Sequence, residues 1–534
     1  METPKRKAVR NLKSPQSSIH WVIALSALLP AISSATNWIS PTNVDWSTPA
    51  NWSGSNVPDT NAEIASFVSP GLANPQINSN TTIQSLFVST STTISGSTGT
   101  FTIDANTTSS DLSISVSNNA TLTIDRDLTT INTPQSITAR VEASSGSTVT
   151  FTAGHTWTST TGIAFQDISF SDGGTFNFNG ALALGNNLLQ VFDGFSPGNG
   201  GTFNFNPTSV TMGSGGQIQN LGGKGRLNLM ADFAQGKIVI GNDAYTPSNG
   251  PSETYLATSG MTMSRNVQIS LANSFNPGTM THQYGVDIPG AGTATQAGSI
   301  TLGSGGLSGD NIKIALDVQT DDTMIVTGQI TGGSSLRTGV TQVLAKTGPG
   351  LLRLEGSTAN NWTGNFNIEQ GIVLLNKTAA GTNAIGNVLT TVSATGQLQL
   401  GKANQIANTG DLTLAGGTFN TGGFSETIDQ LSITSGSSID FGSGASVLTF
   451  SQLMSGTGVL QVDGWSGSLS GGGTDQFRFT NVAGLSGYLA NIHFTGFPDG
   501  AQIVGNEVVP VPEPGSAALI LSASGLLLWR RRRP

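Results

Sequence analysis

The chain contains no cysteine, only four histidines and few charged residues among its 534 positions. Without cysteine, the protein has no disulfide bond, no thiol nucleophile and no thiolate metal ligand. Charged side chains make up 10% of the sequence, whereas disordered chains generally stay unfolded because they are highly charged. The mixture of Ala, Leu, Glu and Lys typical of helical enzymes is also lacking. These deficits argue against a helical enzyme and against solvated disorder.

Small and polar residues dominate instead. The sequence contains 69 Gly, 62 Ser, 66 Thr and 41 Asn, which together fill 238 positions. Threonine favours strands, whereas Gly, Asn and Ser favour turns. The composition therefore predicts an all-β protein with many short strands joined by tight turns.

Residues 1–35 have the layout of a secretory signal peptide. Five basic residues at positions 5–13 precede an apolar run from Trp21 to Leu29, and small residues then lead to Ala35, the predicted cleavage position. The run is shorter than the roughly 20 residues of a membrane-spanning helix. We therefore expect export by a Sec-type machinery.

Residues 510–534 contain a second apolar stretch, Ala517–Trp529, which predicts a short membrane helix. It follows Pro512, Glu513 and Pro514 and precedes four arginines: Arg530, Arg531, Arg532 and Arg533. The stretch is short for a permanent anchor, and the arginines favour the cytoplasmic face. This order resembles the PEP-CTERM sorting signal. The resemblance implies transient anchoring in the inner membrane, recognition by an exosortase-type transpeptidase, and display on or release from the cell surface. A plain tail anchor is the alternative.

The basic residues are concentrated in these two tails. Five lie in the first tail and four in the second, so the chain between them has 13 basic and 29 acidic residues, a net charge of −16. Such a body repels phosphate backbones and anionic lipids. We expect no nucleic-acid partner.

A five-residue pattern, a small and a polar residue followed by apolar, polar and apolar residues, recurs along the body. Successive copies are 21, 27, 27, 27 and 24 residues apart and lie at Gly99–Ile103, Ala120–Ile124, Ser147–Phe151, Gly174–Phe178, Gly201–Phe205 and Gly225–Leu229. Alternation buries one side of each strand, and the period is too short for a propeller blade of about 40 residues. It predicts a right-handed parallel β-helix of 21–27-residue coils, with up to about 19 coils and a length of roughly 90 Å. An array of β-sandwiches is the alternative.

The pattern divides the body into regions. It is clear in residues 81–230, lost in 231–326 (a less regular β region), and present again in 327–460, with copies at Gly350–Leu354, Gly371–Leu375, Gly396–Leu400 and Gly410–Leu414. Around Asn361-Trp362-Thr363-Gly364, the glycine-flanked strands resemble the autotransporter-associated β-strand repeat. That resemblance implies an extracellular parallel β-helix.

Aromatic residues mark both ends of the body. Residues 36–80 contain Trp38, Trp46 and Trp52, and residues 461–509 contain Trp465 near their start. Both segments resemble the ends of large surface proteins that carry the same sorting tag. A solenoid needs terminal units that close its open core, so we expect two caps. Alternatively, these tryptophans, together with Trp362, contact glycans by stacking on sugar rings.

The sequence offers little catalytic chemistry. His155, His282 and His493 are isolated, and no metal-ligand spacing or cofactor fingerprint stands out, so we expect neither a metal nor a cofactor. Glycoside hydrolysis needs two carboxylates close to one another. The candidate pairs in this sequence are Asp125 with Asp127, Asp321 with Asp322, and Glu426 with Asp429. We predict a protein without enzymatic activity.

The predicted function is structural or adhesive, at the cell surface or in an extracellular biofilm matrix that contains exopolysaccharide. Two alternatives remain: a β-helical polysaccharide lyase or glycoside hydrolase, and a passive carbohydrate-binding protein.

Overall fold

The computed structural model describes residues 35–104, 112–131, 140–159, 173–185, 188–191, 201–213, 215–220, 225–241, 252–269, 279–303, 311–333, 341–378, 382–498 and 500–512. Within these ranges the regular elements are β-strands and three short 3-10 helices, Pro49–Asn51, Ser53–Ser55 and Leu489–Asn491. The signal peptide up to residue 34 and the sorting residues from Glu513 onwards lie outside the described residues.

The first twenty strands are β1 (Thr36–Asn37), β2 (Ile64–Phe67), β3 (Thr81–Ile83), β4 (Ser85–Val88), β5 (Thr92–Ser95), β6 (Phe101–Asp104), β7 (Leu112–Val116), β8 (Thr121–Asp125), β9 (Leu128–Ile131), β10 (Arg140–Ala143), β11 (Thr148–Phe151), β12 (Thr156–Ser159), β13 (Thr175–Phe178), β14 (Ala181–Gly185), β15 (Leu188–Val191), β16 (Thr202–Phe205), β17 (Ser209–Met212), β18 (Gln217–Asn220), β19 (Arg226–Leu229) and β20 (Lys237–Ile240).

The remaining described strands are β21 (Ser252–Leu256), β22 (Thr262–Met263), β23 (Val267–Ile269), β24 (Thr279–Val286), β25 (Thr293–Gln296), β26 (Ile300–Leu302), β27 (Asn311–Val318), β28 (Thr323–Val326), β29 (Ile330–Gly332), β30 (Thr341–Thr347), β31 (Leu351–Leu354), β32 (Asn365–Leu375), β33 (Leu389–Leu400), β34 (Asp411–Ala415), β35 (Thr418–Asn420), β36 (Glu426–Ser435), β37 (Ser437–Asp440), β38 (Val447–Gly456), β39 (Leu460–Asp463), β40 (Gln476–Asn481), β41 (Ile492–Phe494), β42 (Ala501–Val504) and β43 (Glu507–Pro510).

These strands stack as coils with three faces. The first face runs through β5, β8, β11, β13, β16, β19, β21, β24, β27, β30, β32, β33, β34, β36 and β38. The second face begins with β3, β6, β9, β12, β14 and β17 and continues later with β22, β25, β28 and β31. The third face contains β1, β2, β4, β7 and β10, then β15, β18, β20, β23, β26 and β29.

All of these ladders are parallel, which confirms the predicted parallel β-helix. Within the described ranges, the strands do not form the antiparallel sheets of a β-sandwich array. Fifteen strands on the first face, at roughly 4.8 Å each, give a stack roughly 70 Å long.

Alternation along each strand builds the core. Phe176 on β13 and Phe203 on β16 both point inward, and their rings stack at 4.9 Å. Burying a side chain of this kind contributes about 1.5–3 kcal/mol, so a column of them stabilises neighbouring coils against one another.

Most copies of the five-residue pattern pair with the neighbouring copy as predicted, but two copies do not. From β8 to β19, the copies align residue for residue. The copy Gly99–Ile103, however, forms β6 and pairs with β9 on the second face, while β8 pairs with β5. Likewise, Gly410–Leu414 forms β34 and pairs with the start of β33, not with Gly396–Leu400. Alternation shows which side of a strand is buried but does not show which face it joins.

The described parts of residues 231–326 continue the stack, although the sequence pattern is lost there. Thr254 pairs with Tyr284, Tyr284 with Leu316, and Leu316 with Lys346, at separations of 30, 32 and 30 residues. These coils are longer than the expected 21–27 residues, so their spacing hid the repeat.

The stack ends in a different pairing mode. Strands β42 and β43 form an antiparallel hairpin, and Glu507 of β43 pairs antiparallel with Arg478 of β40. At the other end, β1 pairs with β2 and with no other described strand.

Candidate functional site

The three N-terminal tryptophans lie in the core. Trp38, Trp46 and Trp52 are at most 1% exposed, and Trp52 meets the other two edge-on at 4.9 and 4.6 Å. Their indole N–H groups donate to backbone carbonyls of Ala73, Pro58 and Trp46. The suggested glycan contact of these residues is therefore wrong, because no ring face is available to a sugar.

The other two tryptophans considered for glycan stacking are also packed. Trp362 is buried against Phe366, with ring centres 5.6 Å apart. Trp465 is partly buried and meets Phe494 and Phe497 edge-on at 5.3 and 6.0 Å.

Asp125 and Asp127 flank a histidine on the surface. His155 places Nε2 3.5 Å from Asp125 and Nδ1 3.7 Å from Asp127. The 27-residue coil brings His155 into this position, which its isolation in the sequence did not suggest. The two carboxylates approach different nitrogens of the ring, and each accepts a hydrogen bond, Asp125 from Thr152 Oγ1 and Asp127 from the Thr156 N–H.

The other two acidic pairs do not share a cleft. Asp322 is buried and accepts the N–H groups of Ile288 and Gly292 at 2.9 Å, whereas its neighbour Asp321 is exposed. Glu426 is buried and accepts the N–H of Gln405 at 2.6 Å, whereas Asp429 is partly exposed. Asp322 and Glu426 thus tie one coil to the preceding one.

A column of aligned polar residues runs along the outside of the first face. Its members are Thr121, Thr148, Thr175, Thr202, Arg226 and Glu253, each paired with the next. We call this set the threonine column. Its four threonines are partly exposed, and their hydroxyl groups make no hydrogen bond with the described part of the chain. They are free to donate to and accept from a ligand.

A second column lies two residues further along the same strands. The Nδ2 group of Asn177 donates to Thr150 at 3.4 Å, Asn204 donates to Asn177 at 2.8 Å, and Asn228 donates to Asn204 at 2.8 Å. This amide ladder holds successive coils in register. It ends at Tyr255, which pairs with Asn228.

Charged residues gather where the two columns end. The Arg226 guanidinium lies over the Tyr255 ring, 4.5 Å from its centre, and donates to Asp287 at 2.6 Å. The Tyr255 hydroxyl donates to Asp317 at 2.9 Å, and Thr347 donates to the other oxygen of Asp317 at 2.6 Å. Burial, followed by the charge of Asp317, raises the pKa of Tyr255, so its hydroxyl stays protonated.

Glu253 is the fourth acidic or basic side chain of this cluster, beside Arg226, Asp287 and Asp317. Its side chain is partly exposed and has no hydrogen-bond partner among the described residues, because the neighbouring Arg226 turns to Asp287. Burial raises the pKa of Glu253; Arg226 opposes this effect, and Asp317 and Asp287 add to it. A ligand that supplied a donor or a positive charge would stabilise the Glu253 carboxylate.

Sequence reasoning did not single out Glu253, but a signal was present. Continuing the 27-residue spacing from Arg226 leads directly to position 253. The strand Ser252–Leu256 has Thr254 at the position where the pattern requires an apolar residue, so the pattern alone does not identify it.

Two further properties concern the described ranges alone. Their His, Asp and Glu side chains form no group of three or more that could hold a metal ion. None of their helices is long and apolar enough to cross a membrane.

The described residues form a parallel β-solenoid. Its threonine column begins with four threonines and ends in a charged cluster. Comparison of the chain with protein-family models, curated proteins and solved structures finds no match.

Proposed function

We propose that this protein is an exported structural or adhesive component of the cell surface or the extracellular matrix. The observation that carries the proposal is the continuous parallel ladder of the first face, from β5 to β38. Each coil buries its apolar side on the next, so the chain forms a long, stiff body without disulfide bonds. Such a body suits a role in presenting an extended surface outside the cell.

Sorting would depend on the two tails. Their composition supports cleavage after Ala35 by the export pathway and recognition of Pro512, Glu513 and Pro514 by an exosortase-type transpeptidase. The folded body extends to the residue before this motif, because β43 ends at Pro510 and the Val511 N–H donates to the Gly500 carbonyl at 3.0 Å. The apolar stretch and Arg530–Arg533 would hold the tail in the inner membrane until it is removed.

The matrix partner would be an exopolysaccharide. The body carries 13 basic and 29 acidic residues, which supports contact with neutral or cationic polymers and not with nucleic acid.

Localisation and mass spectrometry test the sorting step. We expect the wild-type protein at the surface, with a mature C-terminus that lacks Arg533. A P512A/E513A/P514A variant should stay in the inner membrane with Arg533 intact, and deletion of residues 510–534 should release the protein before display. An intact Arg533 on displayed wild-type protein would contradict tail removal.

Activity assays test the structural role. Purified mature protein should leave a panel of polysaccharides intact. Cleavage of any of them would favour a lyase or hydrolase instead.

A further inference from the structure

We propose that the threonine column, from Thr121 to Glu253, binds a linear polysaccharide that carries free amino groups. The inference builds on the proposed contact with exopolysaccharide and specifies its place and its chemistry.

The column offers a regular set of hydroxyl groups. Thr121, Thr148, Thr175 and Thr202 lie on consecutive coils, so their hydroxyls repeat at roughly 4.8 Å along the stack. Each hydroxyl can donate one hydrogen bond and accept two, and none is used within the described protein. A polymer with many hydroxyl groups can satisfy them one after another.

The surface under the column is rigid. Phe176 and Phe203 pack inward beneath Thr175 and Thr202, with near-parallel rings. The neighbouring amide ladder fixes the same coils through bonds of 2.8 Å between Asn177, Asn204 and Asn228. Because these groups are already ordered, a ligand pays little entropy for fixing them.

Charge selects the kind of polymer. At the end of the column the carboxylates of Glu253, Asp287 and Asp317 outnumber the guanidinium of Arg226, even when the buried Lys346 near Asp317 is included. Arg226 is bound to Asp287, so it is not free to recruit an acidic sugar. The cluster would repel uronic acids and attract an ammonium group.

Glu253 provides the specific contact. It follows Arg226 in the column, is partly exposed and has no hydrogen-bond partner for its carboxylate among the described residues. An amino group on a sugar lying along the threonines would reach this carboxylate and form a charge-assisted hydrogen bond.

Calorimetric titration of the mature protein with defined oligosaccharides tests the proposal. A hexamer of glucosamine should bind, a hexamer of N-acetylglucosamine should bind at least tenfold more weakly, and an oligogalacturonate should not bind. Glu253→Gln should weaken binding of the glucosamine hexamer about tenfold, the typical effect of losing a hydrogen bond to a charged group.

Two further variants separate the site from general charge attraction. Asp429→Asn removes one partly exposed carboxylate from another coil and should change the affinity less than twofold. Thr175→Val with Thr202→Val keeps the volume of the column but removes two hydroxyls, and should weaken binding several-fold. Equal losses in the Glu253 and Asp429 variants, or equal binding of both hexamers, would overturn the proposal.

The outcome is distinguishable from that of the sorting experiment. A protein that reaches the surface but binds no hexamer refutes this site alone. A protein that binds the glucosamine hexamer but is not displayed refutes the surface role and leaves the site standing.

Discussion

Individual buried residues make this fold sensitive to pH in opposing ways. The side chain of His282 on β24 is buried, and neither ring nitrogen has a hydrogen-bond partner among the described residues. Burial lowers its pKa from 6.5 to about 4. Burial raises the pKa of Glu426 from 4.5 to about 7, although backbone N–H groups of Gln405, Ile406 and Thr427 oppose this effect.

The two residues act with opposite sign. The folded-state pKa of His282 is depressed, so its contribution to stability is complete above pH 6.5 and is lost as the pH falls towards 4. The folded-state pKa of Glu426 is raised, so its contribution is complete below pH 4.5 and is lost as the pH rises through about 7. Each pKa shift changes the free energy of unfolding by about 3 kcal/mol. The two changes have opposite signs and therefore largely cancel between pH 4 and pH 7.

We therefore predict a steep pH dependence once one of the two is removed. His282→Leu should lose stability mainly as the pH rises from 4.5 to 7, and Glu426→Gln mainly as the pH falls from 6.5 to 4. Urea denaturation at pH 4.5, 5.5 and 7.5 measures both slopes. His493→Gln is the control. Unlike His282, His493 is not fully buried, and it lies on β41, far along the chain from β24. Parallel curves for all three variants would contradict the assignment.

At the scale of strands and turns, the sequence was informative about which residues are buried. Alternation predicts the inward residues of β11, β13 and β16, and the 27-residue spacing predicts their register. Assigning a strand to a face needs the lengths of the turns, which differ from coil to coil. Turn lengths also explain why the Tyr255–Asp317 contact was missed, since it joins residues 62 positions apart through two long coils.

Lys346 shows how a charged side chain can form a turn. It is fully buried at the end of β30, and its Nζ donates to the carbonyls of Thr347, Gly348 and Gln370 at 2.7, 2.6 and 3.1 Å. Gly348 has a φ of 71°, so its carbonyl is turned in a direction that ordinary strand geometry does not give. The lysine therefore joins the turn between β30 and β31 to Gln370 on β32, in the next coil.

We predict that Lys346→Met lowers the free energy of unfolding by roughly 2–4 kcal/mol, because the three carbonyls of Thr347, Gly348 and Gln370 lose the buried ammonium donor that joins them. Lys313→Met is the matched control. Lys313 pairs with Glu369 at 2.6 Å near the surface, where such a pair is worth less than about 1 kcal/mol. Thermal or chemical denaturation of the two variants gives the comparison, and equal losses would show that the corner does not depend on Lys346.

For the whole molecule, stability should be local to neighbouring coils. Each described coil pairs mainly with the coil before it and the coil after it, as expected for a solenoid whose stability is a sum of nearest-neighbour terms. The ends are then the places where such a stack opens first. Here one end is filled by three tryptophans that meet edge-on, and the other is covered by the β42–β43 hairpin.

This organisation predicts that a defect at one end stays at that end. Trp46→Ala removes a fully buried ring that contacts Trp52 at 4.6 Å, a change that typically costs 3–5 kcal/mol. Native-state hydrogen exchange should accelerate in residues 36–104 and remain unchanged in residues 426–481. Phe477→Ala, which empties the core beside Phe450 in a late coil, should give the reverse pattern. If either variant accelerated exchange uniformly along the body, the coils would be unfolding as one cooperative unit, and the tryptophans would stabilise the entire rod instead of closing its first coils.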